Sequence, residues 1–218
     1  MDMFLIITKI AVFFPIFLFS ICFHEFAHAL VAKWKGDRTA EMMGRLSLSP
    51  FAHADLLGTV IFPIIGMMTG FFFGWAKPVP VNDRNLKNPK KDYFWIALAG
   101  PVSNILLALM AALLIGLLKK FFFGFPLERT VSDLGKILIS TNLSLAVFNA
   151  IPLHPLDGGK IIARFIPDQW DRWLEENQFL LFIFLLVVLN SPMQMILHWP
   201  IEVMYELLMK VASFVWMI

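Results

Sequence analysis

The 218-residue chain has a single cysteine, Cys22, so no disulfide can form within it. It has no excess of either charge. Eighteen Lys and Arg against sixteen Asp and Glu leave a net +2, too little to argue for nucleic acid as a partner. No stretch is polar enough to form a separate soluble domain, and there is no internal repeat or low-complexity segment. The N-terminus lacks the short apolar region and small-residue cleavage site of a signal peptide, so the first apolar run reads as retained.

What the chain has instead is apolar length. It is 59% hydrophobic with a mean hydropathy of +0.74, and it carries 23 Phe and 7 Trp. Soluble domains sit nearer ~45–50% apolar. The composition therefore predicts an integral, multi-pass membrane protein whose constant partner is the lipid bilayer. One domain is expected over 1–218, with a core of about 3–160 and C-terminal helices over 160–218.

A first span is expected from about Met3 to Ala32. Lys33, Lys35 and Arg38 follow at once and place that end in the cytoplasm. Trp34 to Ala54 is mixed, and the partial alternation of Met42–Ser49 predicts a small β-hairpin at the membrane surface. Leu56 to Trp75 is apolar but broken by Gly58, Pro63, Gly66, Gly70 and Gly74, which makes a straight spanning helix doubtful. The basic loop Lys77–Lys91 follows. Tyr93–Leu118, Val131–Ile151 and Gln178–Leu197 are read as further spans, and Gly159–Asn177 as an interfacial helix. The tail Pro200–Ile218 is either a final span or a helix lying on the surface; Glu202, Glu206 and Lys210 recur every four residues, which favours the surface. The fold expected is all-α: a multi-span helical bundle with a re-entrant segment and a surface hairpin.

The chemistry centres on His24-Glu25-Phe26-Ala27-His28, inside the first span. Ionisable residues are costly at such depth and mark function. Positions i and i+4 share a helix face, so His24 and His28 can address one ion. In the H-E-x-x-H arrangement the carboxylate, Glu25, can act as general base. A catalytic zinc takes three protein ligands and keeps one open position. Asp157, between helix breakers just beyond the polar span, is the best third ligand. Cys22 lies on roughly the opposite face from His24 and reads as a small buried hydrophobe.

HEFAH in a span, AGPVSN in a later one and NAIPLHPLDGG ending the next together resemble the site-2 proteases, the intramembrane zinc metalloproteases. The resemblance covers about Phe4 to Gly159. It points to the short prokaryotic branch without a PDZ domain, in the cell (inner) membrane with the active site toward the cytoplasm. It implies that His24, His28 and Asp157 bind one zinc ion and that Glu25 is the catalytic acid/base. It implies that Asn149 positions substrate or the oxyanion. Asn104, in Gly100-Pro101…Asn104, is a lesser candidate for that role, and His53 for a gate or auxiliary ligand; hydrogen bonding between helices is the rival reading of Asn149 and, more strongly, of Asn104. His154 stands where an apolar residue or proline is expected. The substrate implied is a transmembrane segment of another protein. Two rivals of other classes are a zinc transporter or sensor and an inactive helix-binding scaffold.

If the two histidines and Asp157 share a metal, they lie near one face. The two crossings Tyr93–Leu118 and Val131–Ile151 return the chain to the side where the first span ends. Leu56–Trp75 must then cross zero or two times, and about 20 residues are too few for two spans. A re-entrant hairpin is predicted.

Overall fold

A computed structural model describes residues 3–69, 74–189, 191 and 194–217. Three helices in it are long and apolar enough to cross a membrane: α1 (Met3–Trp34), over its residues Ile10–Trp34, α5 (Pro89–Phe122) and α6 (Glu128–Asn149). They match the first, third and fourth apolar runs of the sequence. The chain is an integral membrane protein built of helices.

α1 ends because Gly36 takes φ +109. Its N–H bonds Lys33 O, and Asp37 N–H reaches back to Ala32 O, closing the orphan carbonyls of the last turn. Asp37 is fully buried. Its carboxylate accepts from Thr39 N (3.0 Å), Thr39 Oγ1 (2.5 Å), Asn85 Nδ2 (2.7 Å) and Asn82 N (2.7 Å). This acid therefore pins the loop after Lys77 to the end of α1. Burial pushes its pKa up, but the bonds from Asn85, Thr39 and Asn82 outweigh that and hold it below the usual carboxylate range. A lowered folded pKa stabilises the fold above the ordinary carboxylate value and is lost as pH falls below it. Asp37→Ala leaves several donors unpaired and is expected to cost about 2–4 kcal/mol at neutral pH. Thermal unfolding in detergent should show the lower midpoint, with the gap to wild type narrowing in acid; equal midpoints at pH 7 would refute this.

The expected hairpin over Met42–Ser49 does not form. Among the described residues there is no strand. The reason lies in Gly44. It takes φ +69 after α2 (Thr39–Met42); its N–H bonds Glu41 O, and Arg45 N–H bonds Ala40 O. The residues that looked like the start of a strand are spent on ending a helix. Only Leu46–Ser49 remain before Pro50 opens α3 (Pro50–His53), too few to pair. The Arg45 side chain bonds the carbonyls of Lys77 and Pro78 instead.

Beyond α3 the backbone forms a π-helical turn, Leu56–Ile61, capped by Asp55 Oδ1 on Gly58 N (2.7 Å), and continues as α4 (Phe62–Thr69). After residues 70–73, which lie outside the described set, the chain is back where it left. Trp75 N–H bonds Gly58 O (2.9 Å), and Lys77 N–H bonds His53 O (2.8 Å). Thr59 Oγ1 donates to Trp75 O (2.8 Å). Gly58 leaves room for the Trp75 ring, which any side chain there would strike.

α7 (Asp157–Ile162) and α8 (Asp168–Glu176) follow the polar span. The run Gln178–Leu197, expected as one span, breaks. α9 (Gln178–Leu189) stops after 12 residues, where Ser191 Oγ bonds Val188 O and the sequence places a proline at 192. Residues 190, 192 and 193 lie outside the described set. α10 (Met195–Met217) does not lie apart on a surface as the charge spacing suggested. Its stripe Ile201, Met204, Tyr205, Leu208 and Ala212 packs on Ala108, Ala112 and Ile115 of α5 and on Ile139 and Leu143 of α6. The backbones come close at Gly116: a methyl there would sit 2.5 Å from Ala212 O. Such small-residue contacts let helices approach without a side chain between them.

Candidate functional site

α1 presents His24 and His28 one turn apart toward α5. Asp157 arrives on α7, just beyond the end of α6. The link from α6 to α7 folds tightly on itself, with Leu153 N–H on Ile151 O (2.7 Å) and Leu156 N–H on Leu153 O (2.9 Å). Gly158 packs against the Ile151 carbonyl with no room for a side chain. Asp157 is thereby held as the first residue of α7, aimed at the histidines.

Three ligand-capable atoms converge. His24 Nε2 and Asp157 Oδ2 are 3.0 Å apart, His28 Nε2 and His24 Nε2 3.0 Å, and His28 Nε2 and Asp157 Oδ2 3.1 Å. All three residues are buried. Ligands of a tetrahedral zinc at its usual bond lengths stand roughly 3.3 Å apart, so the triangle is close to one face of such a tetrahedron. The outer ring nitrogens also point to a cation. His28 Nδ1 lies 2.6 Å from Ile96 O, which can only accept, so the proton is on Nδ1 and Nε2 offers a lone pair. His24 Nδ1 lies 2.6 Å from Asn104 Oδ1. Two imidazole lone pairs and a carboxylate oxygen meeting in a buried space fit a divalent cation.

Gly100 keeps that space open. A methyl on its Cα would lie 2.5 Å from His24 Nε2 and closer still to His28 Nε2. Sequence reasoning marked Gly100 only as part of a motif; the contact across helices is what gives it a role.

A cavity of about 430 Å³ opens beside the three atoms. Glu25, half-buried, lines it, as do Asn149, Tyr93, Lys160 and the extended stretch Trp75–Val81. Asn149 holds one amide hydrogen on Leu145 O (3.0 Å). Three other sequence candidates fall elsewhere. Asn104 sits behind His24, at the ring nitrogen facing away from the cluster. His53 is fully buried with Nε2–H on Ser47 O (2.6 Å), and it does not line the cavity. His154 Nε2 pairs with Asp171 Oδ1 of α8 (3.0 Å), apart from the three ligand atoms. The arrangement has what peptide hydrolysis requires: three donors that could hold a metal, a carboxylate on the wall of the adjoining cavity and room there for a substrate.

Similarity to known proteins agrees. The profile of peptidase family M50 matches residues 12–134. The chain is 37% identical over 187 residues to "Putative zinc metalloprotease YwhC" of Bacillus subtilis, covering 83% of this chain and 81% of that protein. It is 26% identical over 188 residues to "Putative zinc metalloprotease Rip2" of Mycolicibacterium smegmatis, covering 86% and 69%. It is 26% identical over 160 residues to "Zinc metalloprotease MJ0392" of Methanocaldococcus jannaschii, covering 73% and 36%. No solved structure matches the chain. A buried two-histidine, one-aspartate cluster in a helical membrane protein, with this profile and these relatives, places the chain in peptidase family M50, the site-2 proteases: it is a zinc-dependent metalloendopeptidase.

Proposed function

We propose that His24 Nε2, His28 Nε2 and Asp157 Oδ2 hold the zinc, and that the enzyme cuts transmembrane segments of other membrane proteins near the cytoplasmic face. The observation that carries this is the convergence of those three buried atoms beside a cavity lined by Glu25. A zinc ion held by these three residues would supply a nucleophilic water at neutral pH and a Lewis acid for the scissile carbonyl. Glu25 takes the proton from the attacking water and delivers it to the leaving amine. Asn149, on the cavity wall, offers an amide to the carbonyl oxygen as charge develops there. A helical substrate has its carbonyls bonded internally, so it unwinds locally before attack.

The chain works as one membrane domain, with the core of about 3–160 flanked by α10 against α5 and α6. A second cavity, of about 450 Å³, shares Gly74, Leu145 and Phe148 with the first and extends between α1, α6, α9 and α10. It is the lateral route by which a substrate helix approaches. Relatives in bacteria and an archaeon support a prokaryotic cell membrane as the location.

Residues 56–75 enter the membrane and return on the cytoplasmic side. The bonds His53–Lys77 and Gly58–Trp75 across the base of this segment support that reading. A membrane-impermeant reagent should label cysteines placed in Trp34–Ala54 and in Lys77–Lys91 from the same side; opposite sidedness would sink it.

The ligand assignment is tested on purified protein reconstituted with a single-span reporter. Chelation should stop cleavage and added zinc restore it. Asp157→Ala should neither retain zinc nor cleave. Zinc bound at wild-type stoichiometry and affinity in that variant would overturn the assignment.

A further inference from the structure

Behind His24 runs a chain of buried amides that no part of the proposed reaction uses. Asn104 on α5 and Asn142 on α6 are both fully buried, as is Ser20 on α1. Each Asn could be placed either way round, since its oxygen and nitrogen look alike. Here two backbone carbonyls, which can only accept, decide the matter. Asn142 lies 2.9 Å from Leu138 O, so the atom there is its Nδ2; the same group reaches Ser20 Oγ at 2.9 Å. The Ser20 hydroxyl is free to accept, because its own proton goes to Ile16 O (2.8 Å). Asn142 must then present Oδ1 to Asn104, and it does so 2.7 Å from Asn104 Nδ2. Asn104 Nδ2 also faces Ser20 O at 3.3 Å. That leaves Asn104 Oδ1 toward His24 Nδ1 at 2.6 Å. An amide oxygen accepts only, so His24 carries its proton on Nδ1 and keeps the Nε2 lone pair for the metal.

We infer that Asn142 is a positioning residue for the zinc: through Asn104 it fixes the tautomer and ring orientation of His24. The residue touches neither metal nor substrate. Its effect is directional. Without its Oδ1, Asn104 can turn over and aim an N–H at His24 Nδ1. The ring then accepts there and carries its proton on Nε2, where the metal must bind. His28 needs no such device, because Ile96 O fixes its Nδ1 directly. Three helices thus contribute in turn. α1 carries the two histidines, α5 orients both rings, and α6 sets the orientation of α5's amide.

This rests on His24 being a zinc ligand. The test measures zinc affinity of purified protein in detergent by competition with a chromophoric chelator. Outer-shell partners of metal ligands are worth about 10–100-fold in affinity. Asn142→Leu should weaken zinc binding by about that factor. Adding Asn104→Asp to it should restore binding, because a carboxylate accepts from His24 Nδ1 whichever way it turns. A role in packing alone predicts no rescue. Wild-type affinity in Asn142→Leu, or a double variant as weak as the single, overturns the inference. His24→Ala in the same titration tests the underlying assignment: unchanged affinity there sinks the ligand role itself. A loss there with no loss in Asn142→Leu sinks only the positioning role. If Asn142→Leu does not fold, nitrogen-15 spectra of histidine-labelled wild-type protein stripped of metal give the answer. The His24 signal, assigned by its loss in His24→Gln, should show the proton on Nδ1; a proton on Nε2 overturns the inference.

Discussion

Gly100→Ala is expected to yield a folded protein that binds almost no zinc and cleaves nothing. The added methyl would fall 2.5 Å from His24 Nε2 and nearer still to His28 Nε2. The atoms it meets belong to the ends of two side chains, so the imidazoles move rather than the helices. A displacement on the order of 1 Å in a catalytic group costs ~10²-fold, and here two ligands shift together. Zinc content and cleavage should therefore fall by at least that factor, while the unfolding temperature in detergent changes little. Gly116→Ala is the contrasting control. Its methyl meets the Ala212 carbonyl at 2.5 Å and the Val215 side chain, so α5 and α10 must separate. Stability should drop there with zinc affinity kept. A Gly100→Ala protein with full zinc and full activity would show that the metal lies elsewhere.

Glu25→Gln should keep zinc at wild-type affinity and lower cleavage by roughly 10²–10⁴-fold, the usual worth of a positioned acid/base group. The side chain lines the cavity but is not one of the three converging donors. Losing its charge therefore removes proton transfer and leaves the metal held. The same variant separates the protease from its rivals. A zinc transporter would continue to move zinc, and a helix-binding scaffold would keep its full effect on partners. The uncut substrate should accumulate with the variant, and isolating what accumulates identifies the substrate. Wild-type turnover in Glu25→Gln would remove this carboxylate from the mechanism.

The core of the site was legible because its spacing is local or its context unusual. His24 and His28 share a face by helical periodicity alone, and Asp157 stands out as an acid among breakers after an apolar run. Asn104 was found, with hydrogen bonding between helices weighed against a role toward substrate. Its motif gave importance without direction, and only α1 packing on α5 shows that it meets the outer nitrogen of His24. Asn142 and Gly100 act through contacts between helices that no spacing within one segment encodes. The hairpin misreading has a local cause: Met42–Ser49 alternates like a strand, but Gly44 closes α2. The tail misled in a similar way. Glu202, Glu206 and Lys210 drew attention to one flank of α10, while the stripe through Ile201, Leu208 and Ala212 decided where it packs. The proposed return of the segment after Leu56 came from counting crossings, an argument that needs the pairing of distant residues rather than any feature of the segment.

The separation of the ligands along the chain also has a consequence in time. His24 and Asp157 are 133 residues apart. At ~5–20 residues per second, roughly 7–27 s of synthesis pass between them. During that interval α1 already holds both histidines and Glu25, but the third donor does not yet exist. The nascent protease therefore passes the insertion machinery, amid other unfolded membrane helices, without a complete cutting centre. On the proposed ligand set, activity can begin only once α7 has been made and has folded back onto α1.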